Sequence, residues 1–184
     1  MKANRLLLLI LIVIIMSCKK DEYASLSVLT DLKGESGLSY NESFSKWQEL
    51  KKTNGNSYIY QTTFVSWAGF GNITELKIEE GIVTSRVYQE FKTNETNGQR
   101  EIIATYAETK TNLGSHEKGA SPLTIDDLYN SCVSEYLVVD KENNTLYFET
   151  DKINGLVTLC GFVPKDCADD CFRGIKINSF KWID

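Results

Sequence analysis

The chain has 184 residues, enough for one core of ordinary size. Its 25 acidic residues outnumber 20 basic ones for a net charge of −5, and that balance excludes a broad nucleic-acid-binding or anionic-lipid-binding face. The acidity serves solubility and colloidal repulsion near a crowded membrane.

Lys2 and Arg5 flank the start of an uninterrupted apolar run from Leu6 to Met16. A membrane-spanning helix wants about 20 apolar residues, so the shorter run fits the core of an export signal. The run closes on Ile15-Met16-Ser17-Cys18, a branched aliphatic residue three positions before a cysteine and a small residue directly before it. This resembles the lipobox of bacterial lipoproteins, with Met16 standing where smaller residues are commoner. The resemblance implies that residues 1–17 are a signal peptide and that Cys18 becomes the lipid-bearing first residue. Cys18-Lys19-Lys20-Asp21-Glu22 further resembles the Cys-Lys-acidic start of Bacteroidota lipoproteins, which implies the outer membrane and, as a further step, the cell surface. Each buried lipid methylene contributes about 0.8 kcal/mol, so several acyl chains hold firmly. Loss of residues 1–17 removes two basic residues and no acidic ones, leaving the mature chain more acidic still.

Residues 18–40 carry Gly34, Gly37 and several serines with little apolar periodicity, and read as the lipidated cysteine followed by a flexible tether. Residues 41–184 read as a single globular domain. Asn41, Glu42 and Ser43 offer capping side chains to a helix whose stripe is Phe44, Trp47 and Leu50, stopped by Gly55. Residues 57–67, 73–78, 82–91 and 102–107 alternate or run apolar as strands, with Glu79-Glu80-Gly81 a tight turn. Residues 108–122 are polar and read as an exposed loop. Thr124 then caps a second helix, with Asp126 and Asp127 at its positive end and Ile125, Leu128, Tyr129, Cys132, Val133 and Tyr136 on one apolar face. Strands over 146–148, 156–163 and 175–182 complete the chain.

Helix then strands, followed by helix then strands, predicts an α+β fold: an antiparallel sheet with two helices packed on one face, with a duplicated helix-plus-meander unit as one origin. The spaced pattern Trp47, Tyr58-x-Tyr60, Gly81-Ile82-Val83, Thr124-Ile125-Asp126-x-Leu128-Tyr129 and Ile175-x-Ile177 covers nearly the whole folded region. It resembles a family of small secreted or lipid-anchored bacterial domains with no settled activity. The resemblance implies a fold and no catalytic residues. Family members often carry a Gly-Tyr-Pro turn before the last strands, where this chain has Asn154-Gly155-Leu156.

With Cys18 committed to lipid, Cys132, Cys160, Cys167 and Cys171 remain, an even number in an exported chain. Three pairings exist; the preferred one ties Cys132 to Cys160 and closes a small loop between Cys167 and Cys171. Free buried thiols are one alternative. A zinc site is the other, and it lacks both the two-residue Cys spacing and a nearby histidine. Asp166, Asp169 and Asp170 offer oxygens to Ca²⁺, but the spacing is not an EF-hand, and turn capping accounts for them equally. No metal or cofactor is assigned.

His116, the only histidine, lies in the polar loop with no nucleophile in context and is given no role. Trp47, Trp67 and Trp182 can form a glycan-stacking surface, although aromatics on strands and helix stripes are more often core. Trp67 and Phe70 stand apart, because Ser66-Trp67-Ala68-Gly69-Phe70-Gly71 places both in a Gly-rich turn suited to gripping a partner. The chain carries no P-loop, dinucleotide fingerprint or HExxH motif. The leading expectation is a lipid-anchored, non-enzymatic binding or accessory module meeting an envelope protein or glycan, not nucleic acid. An envelope hydrolase built from dispersed carboxylates, or a purely structural lipoprotein, are the alternatives.

Overall fold

Helix α1 (Tyr40–Asn54) opens the regular structure and is followed by β1 (Tyr58–Val65), β2 (Phe70–Glu79), β3 (Ile82–Thr93) and β4 (Arg100–Thr109). Helix α2 (Ile125–Ser131) runs into a π-helical turn (Cys132–Tyr136), and β5 (Asn144–Thr150), β6 (Val157–Pro164) and β7 (Arg173–Trp182) complete the chain. The computed structural model describes residues 28–183; residues 1–17, expected to be a signal peptide, and Cys18, the expected lipidation site, lie outside the described residues. The seven strands form one antiparallel sheet in the order β4-β3-β2-β1-β7-β6-β5. Each half is thus a helix followed by a meander, and the two meanders join where β1 lies beside β7.

Tyr58 shows that both helices cover the same face. Its ring meets Trp47 of α1 edge-on at 5.3 Å, and its hydroxyl accepts the Ile125 N–H of α2 at 3.0 Å. Trp47, fully buried, also stacks on Trp182 at 5.5 Å, so α1 lies over the junction of the two meanders. Tyr60, Leu76 and Ile78 from one meander and Phe148, Cys160, Ile175 and Ile177 from the other complete this core.

Ser39 caps α1, two positions before Asn41, the first of the residues that the sequence offers for the role. Its hydroxyl accepts the Glu42 N–H, and the Glu42 carboxylate accepts the Ser39 N–H at 2.7 Å. Those hydrogen bonds from Ser39, with Lys33 alongside, hold the Glu42 carboxyl at about 2. The folded unit therefore starts before residue 41. Leu29 and Leu32 pack against the core, the Leu29 N–H donates to Leu137 O, and the Glu35 N–H donates to the Glu149 carboxylate on edge strand β5. Residues 28–40 cover that edge instead of serving as a tether, for the physical reason that their few apolar side chains find a place on the sheet.

The second helix departs from a regular stripe. The Leu137 N–H reaches back five residues to Cys132 O, and this extra residue per turn brings Leu137 fully into the core while Tyr136 stays half-buried. At the core's centre the Val157 N–H donates to Tyr129 Oη, Tyr129 donates to Ser43 Oγ, and Ser43 donates to Gly155 O. This relay joins α1, α2 and β6, and burial pushes the Tyr129 hydroxyl up to about 12. Among the described residues no helix is long and apolar enough to cross a membrane.

Candidate functional site

The β1–β2 hairpin ends in a four-residue turn, residues 66–69. The Ser66 N–H donates to Phe70 O at 2.7 Å, and the Gly69 N–H returns to Ser66 O at 3.0 Å. Gly69 takes φ of +81°, a conformation that side chains resist, which fixes glycine at this corner. Trp67 is left 79% exposed and Phe70 46%, with Phe64 and Val65 about half exposed on the adjoining strand. The turn is nevertheless fixed. The Thr93 N–H donates to Gly69 O at 2.7 Å, and Lys92 Nζ lies 5.4 Å from the Phe70 ring centre.

A second loop meets this turn. Cys132 is bonded to Cys160, which ties the end of the second helix to the sheet, and Cys167 to Cys171, which closes a short loop before β7. On that loop Asp170 accepts a hydrogen bond from Ser66 Oγ at 2.6 Å. Two segments 104 residues apart in sequence thereby form one surface, with Trp67 at its crest. Among the described residues no group of three or more His, Cys, Asp and Glu side chains could hold a metal ion, so Asp166, Asp169 and Asp170 do not converge as a calcium cage.

Below the Ser66–Asp170 contact the sheet is split. The β1–β7 ladder runs from Tyr58↔Trp182 only to Thr62↔Ile177, with a register shift between Gln61 and Thr62. Beyond it β1 continues to Val65 against β2, and β7 begins at Arg173 against β6. A cavity of 460 Å³ opens on the helix side, bordered by Tyr60, Leu128, Tyr136 and Ile175. Another of 330 Å³ opens on the opposite face, bordered by Val65, Tyr147, Leu159 and Val163. The two share Thr63, Phe64, Phe172 and Lys176. Phe172 rests on Gly161, where a Cβ would come within 2.6 Å of the ring, so glycine is required beneath it. Among the described residues Asp170 is the one carboxylate that borders either cavity.

The three tryptophans do not assemble into a glycan platform: Trp47 is buried, Trp182 packs against it, and Trp67 alone projects. His116 acquires neighbours that sequence reasoning missed. Its Nδ1 lies 2.9 Å from the buried Glu108 carboxylate, and its ring stacks on Tyr106 at 4.0 Å. Arg86 Nη1 donates to the same carboxylate at 3.1 Å and to His116 O at 3.2 Å, and Arg86 and Tyr106 both donate to Lys118 O. Burial works to raise the Glu108 carboxyl, but hydrogen bonds from the Gly114 N–H and from the His116 ring and N–H, with the Arg86 charge, hold it at about 2. This cluster fastens the polar loop over β3 and β4. The signal for it in the sequence is Arg86, a charge at an inward-facing strand position.

Compared with known proteins, the chain matches no family model, and neither a curated protein nor a solved structure is similar to it.

Proposed function

We propose that this chain is a lipid-anchored, non-enzymatic binding module of the bacterial cell envelope, which meets a partner through the Trp67 turn and the adjoining Cys167–Cys171 loop. The observation that carries the reading is a tryptophan 79% exposed on a turn pinned from both sides, by Asp170 to Ser66 and by Thr93 to Gly69. An exposed aromatic on a fixed backbone is costly to keep in water and loses little entropy on binding, which is the profile of an interface anchor. Phe64, Val65 and Phe70 extend the apolar surface around it. The anchor rests on Cys18 and the signal before it, and the Lys19-Lys20-Asp21-Glu22 stretch supports the outer membrane as the address.

Two experiments test the parts separately. Affinity recovery from envelope extract is compared for the wild-type chain and Trp67→Ala. One stoichiometric protein that is lost with the variant supports the contact face, and undiminished recovery with Trp67→Ala refutes it. Palmitate labelling of wild type and Cys18→Ala tests the anchor, and equal labelling of both refutes lipidation at Cys18.

A further inference from the structure

Beyond Thr62↔Ile177 β1 and β7 are no longer paired, which leaves Thr63–Val65 facing an open stretch between the end of the ladder and the Ser66–Asp170 contact. Ser66 donates its N–H to Phe70 O across the hairpin, so the alternation of backbone groups turns the N–H and C=O of Thr63 and Val65 the other way, towards β7. The ladder on that side has already ended at Thr62↔Ile177. A run of backbone donors and acceptors is therefore presented at an interior edge of the sheet, the condition under which an extended chain adds itself by main-chain hydrogen bonds.

The cavities specify the occupant further. One opens on the helix face and the other on the opposite face, and they meet at Thr63, Phe64, Phe172 and Lys176. A chain lying in that open stretch as a strand sends successive side chains to opposite faces, so one enters each cavity in turn. A helix or a compact small molecule would fill one and leave the other. At 460 and 330 Å³ both fall in the range of roughly 300–1,000 Å³ common to ligand sites. Val65, Leu159 and Val163 call for an apolar side chain in the smaller cavity, while Tyr60, Leu128 and Ile175 share the larger one with Thr62, Asn72 and Ser121 and accept an uncharged side chain with apolar bulk. Lys176, bordering both, disfavours a basic residue at these positions.

We infer that the slot between β1 and β7 binds an extended peptide segment of a partner protein by strand addition along Thr63–Val65, with consecutive uncharged, apolar side chains entering the two cavities. The inference rests on the binding-module reading above and names the partner's chemistry. Trp67, at the slot's mouth, would meet the partner outside the inserted segment.

The test is amide hydrogen exchange by NMR on the full-length protein in detergent. The probes are blocked octapeptides with a central run of three Val, Leu or Phe residues between Thr and Ser flanks. They are added at about 1 mM, where even a millimolar complex is about half formed. Slower exchange at the Thr63 and Val65 amides is expected, and it should vanish when alternate peptide amides in the central run are N-methylated. Unchanged exchange at Thr63 and Val65 with every such peptide overturns the inference, as does equal slowing with the N-methylated peptides. Protection confined to residues 66–70 overturns strand addition while leaving the Trp67 contact face standing. Conversely, slowing at Thr63 and Val65 together with Trp67-independent partner recovery supports the slot and removes the contact face.

Discussion

Replacing Glu108 with Gln keeps the side-chain volume and removes the charge that Arg86 faces. Both side chains are almost wholly buried, 2% and 0% exposed, so the variant leaves a guanidinium inside the fold without a counter-charge. Removing one partner of a buried pair costs about 3–5 kcal/mol, against a total stability of about 5–15 kcal/mol for a domain. At roughly 2–4 °C per kcal/mol for a domain of this size, the melting temperature should fall by about 6–20 °C. The effect also carries a pH signature. The Glu108 carboxyl lies at about 2 in the folded chain against an ordinary value of 4.5. Its stabilisation is therefore complete above 4.5 and fades as the pH falls through that window towards about 2. Thermal unfolding of wild type and Glu108→Gln, followed by circular dichroism at neutral pH and at steps down to pH 2, reads both quantities. A melting shift of less than about 2 °C, equivalent to under 1 kcal/mol, would refute the argument, and so would a shift that does not change with pH.

Trp67→Ala should change stability by no more than about 0.5 kcal/mol, because its side chain packs on nothing that the fold needs; a larger loss in urea unfolding would make the residue a structural one. Tyr129→Phe breaks the relay from Val157 to Gly155 and strands a buried N–H, at a cost of about 1–3 kcal/mol; a neutral result in the same assay would show that the relay contributes nothing. The Cys132–Cys160 disulfide spans 28 positions and Cys167–Cys171 spans 4, for which chain entropy gives about 3.6 and about 1.9 kcal/mol. Paired Cys→Ala variants should therefore differ by roughly a factor of two in lost stability, and a greater loss from the shorter loop would contradict this ordering.

The elements of the fold were legible where the pattern is local. Thr124 with Asp127, and the alternation at Tyr58 and Tyr60, mark a helix start and a strand without help from the rest of the chain. The cap of α1 is hidden because Ser39 lies in a stretch with little apolar periodicity, while Asn41, Glu42 and Ser43 directly after it all offer capping side chains. Leu29 and Leu32 gave no sign of docking, since two leucines in a polar segment reveal nothing of the β5 edge that receives them. The π-helical turn is equally invisible in sequence, because Tyr136 and Leu137 are both apolar and only packing selects between them. For the site, the turn at Trp67 was legible from its glycines. Its junction with Asp170 and the slot beneath it were not, because they depend on where the β1–β7 ladder stops. The setting of His116 is hidden because its partner Glu108 reads as the first residue of a polar loop until Arg86 is placed opposite it.

Site-specific photo-crosslinking in living cells puts the contact face to the most direct test. A photoreactive phenylalanine analogue is placed at Trp67 in one strain and, as a control, at Ile153, which is 94% exposed beside α1. The binding-module account expects one discrete, heavier adduct from position 67 and none from position 153. The same adducts from both positions, or none from position 67, would contradict it.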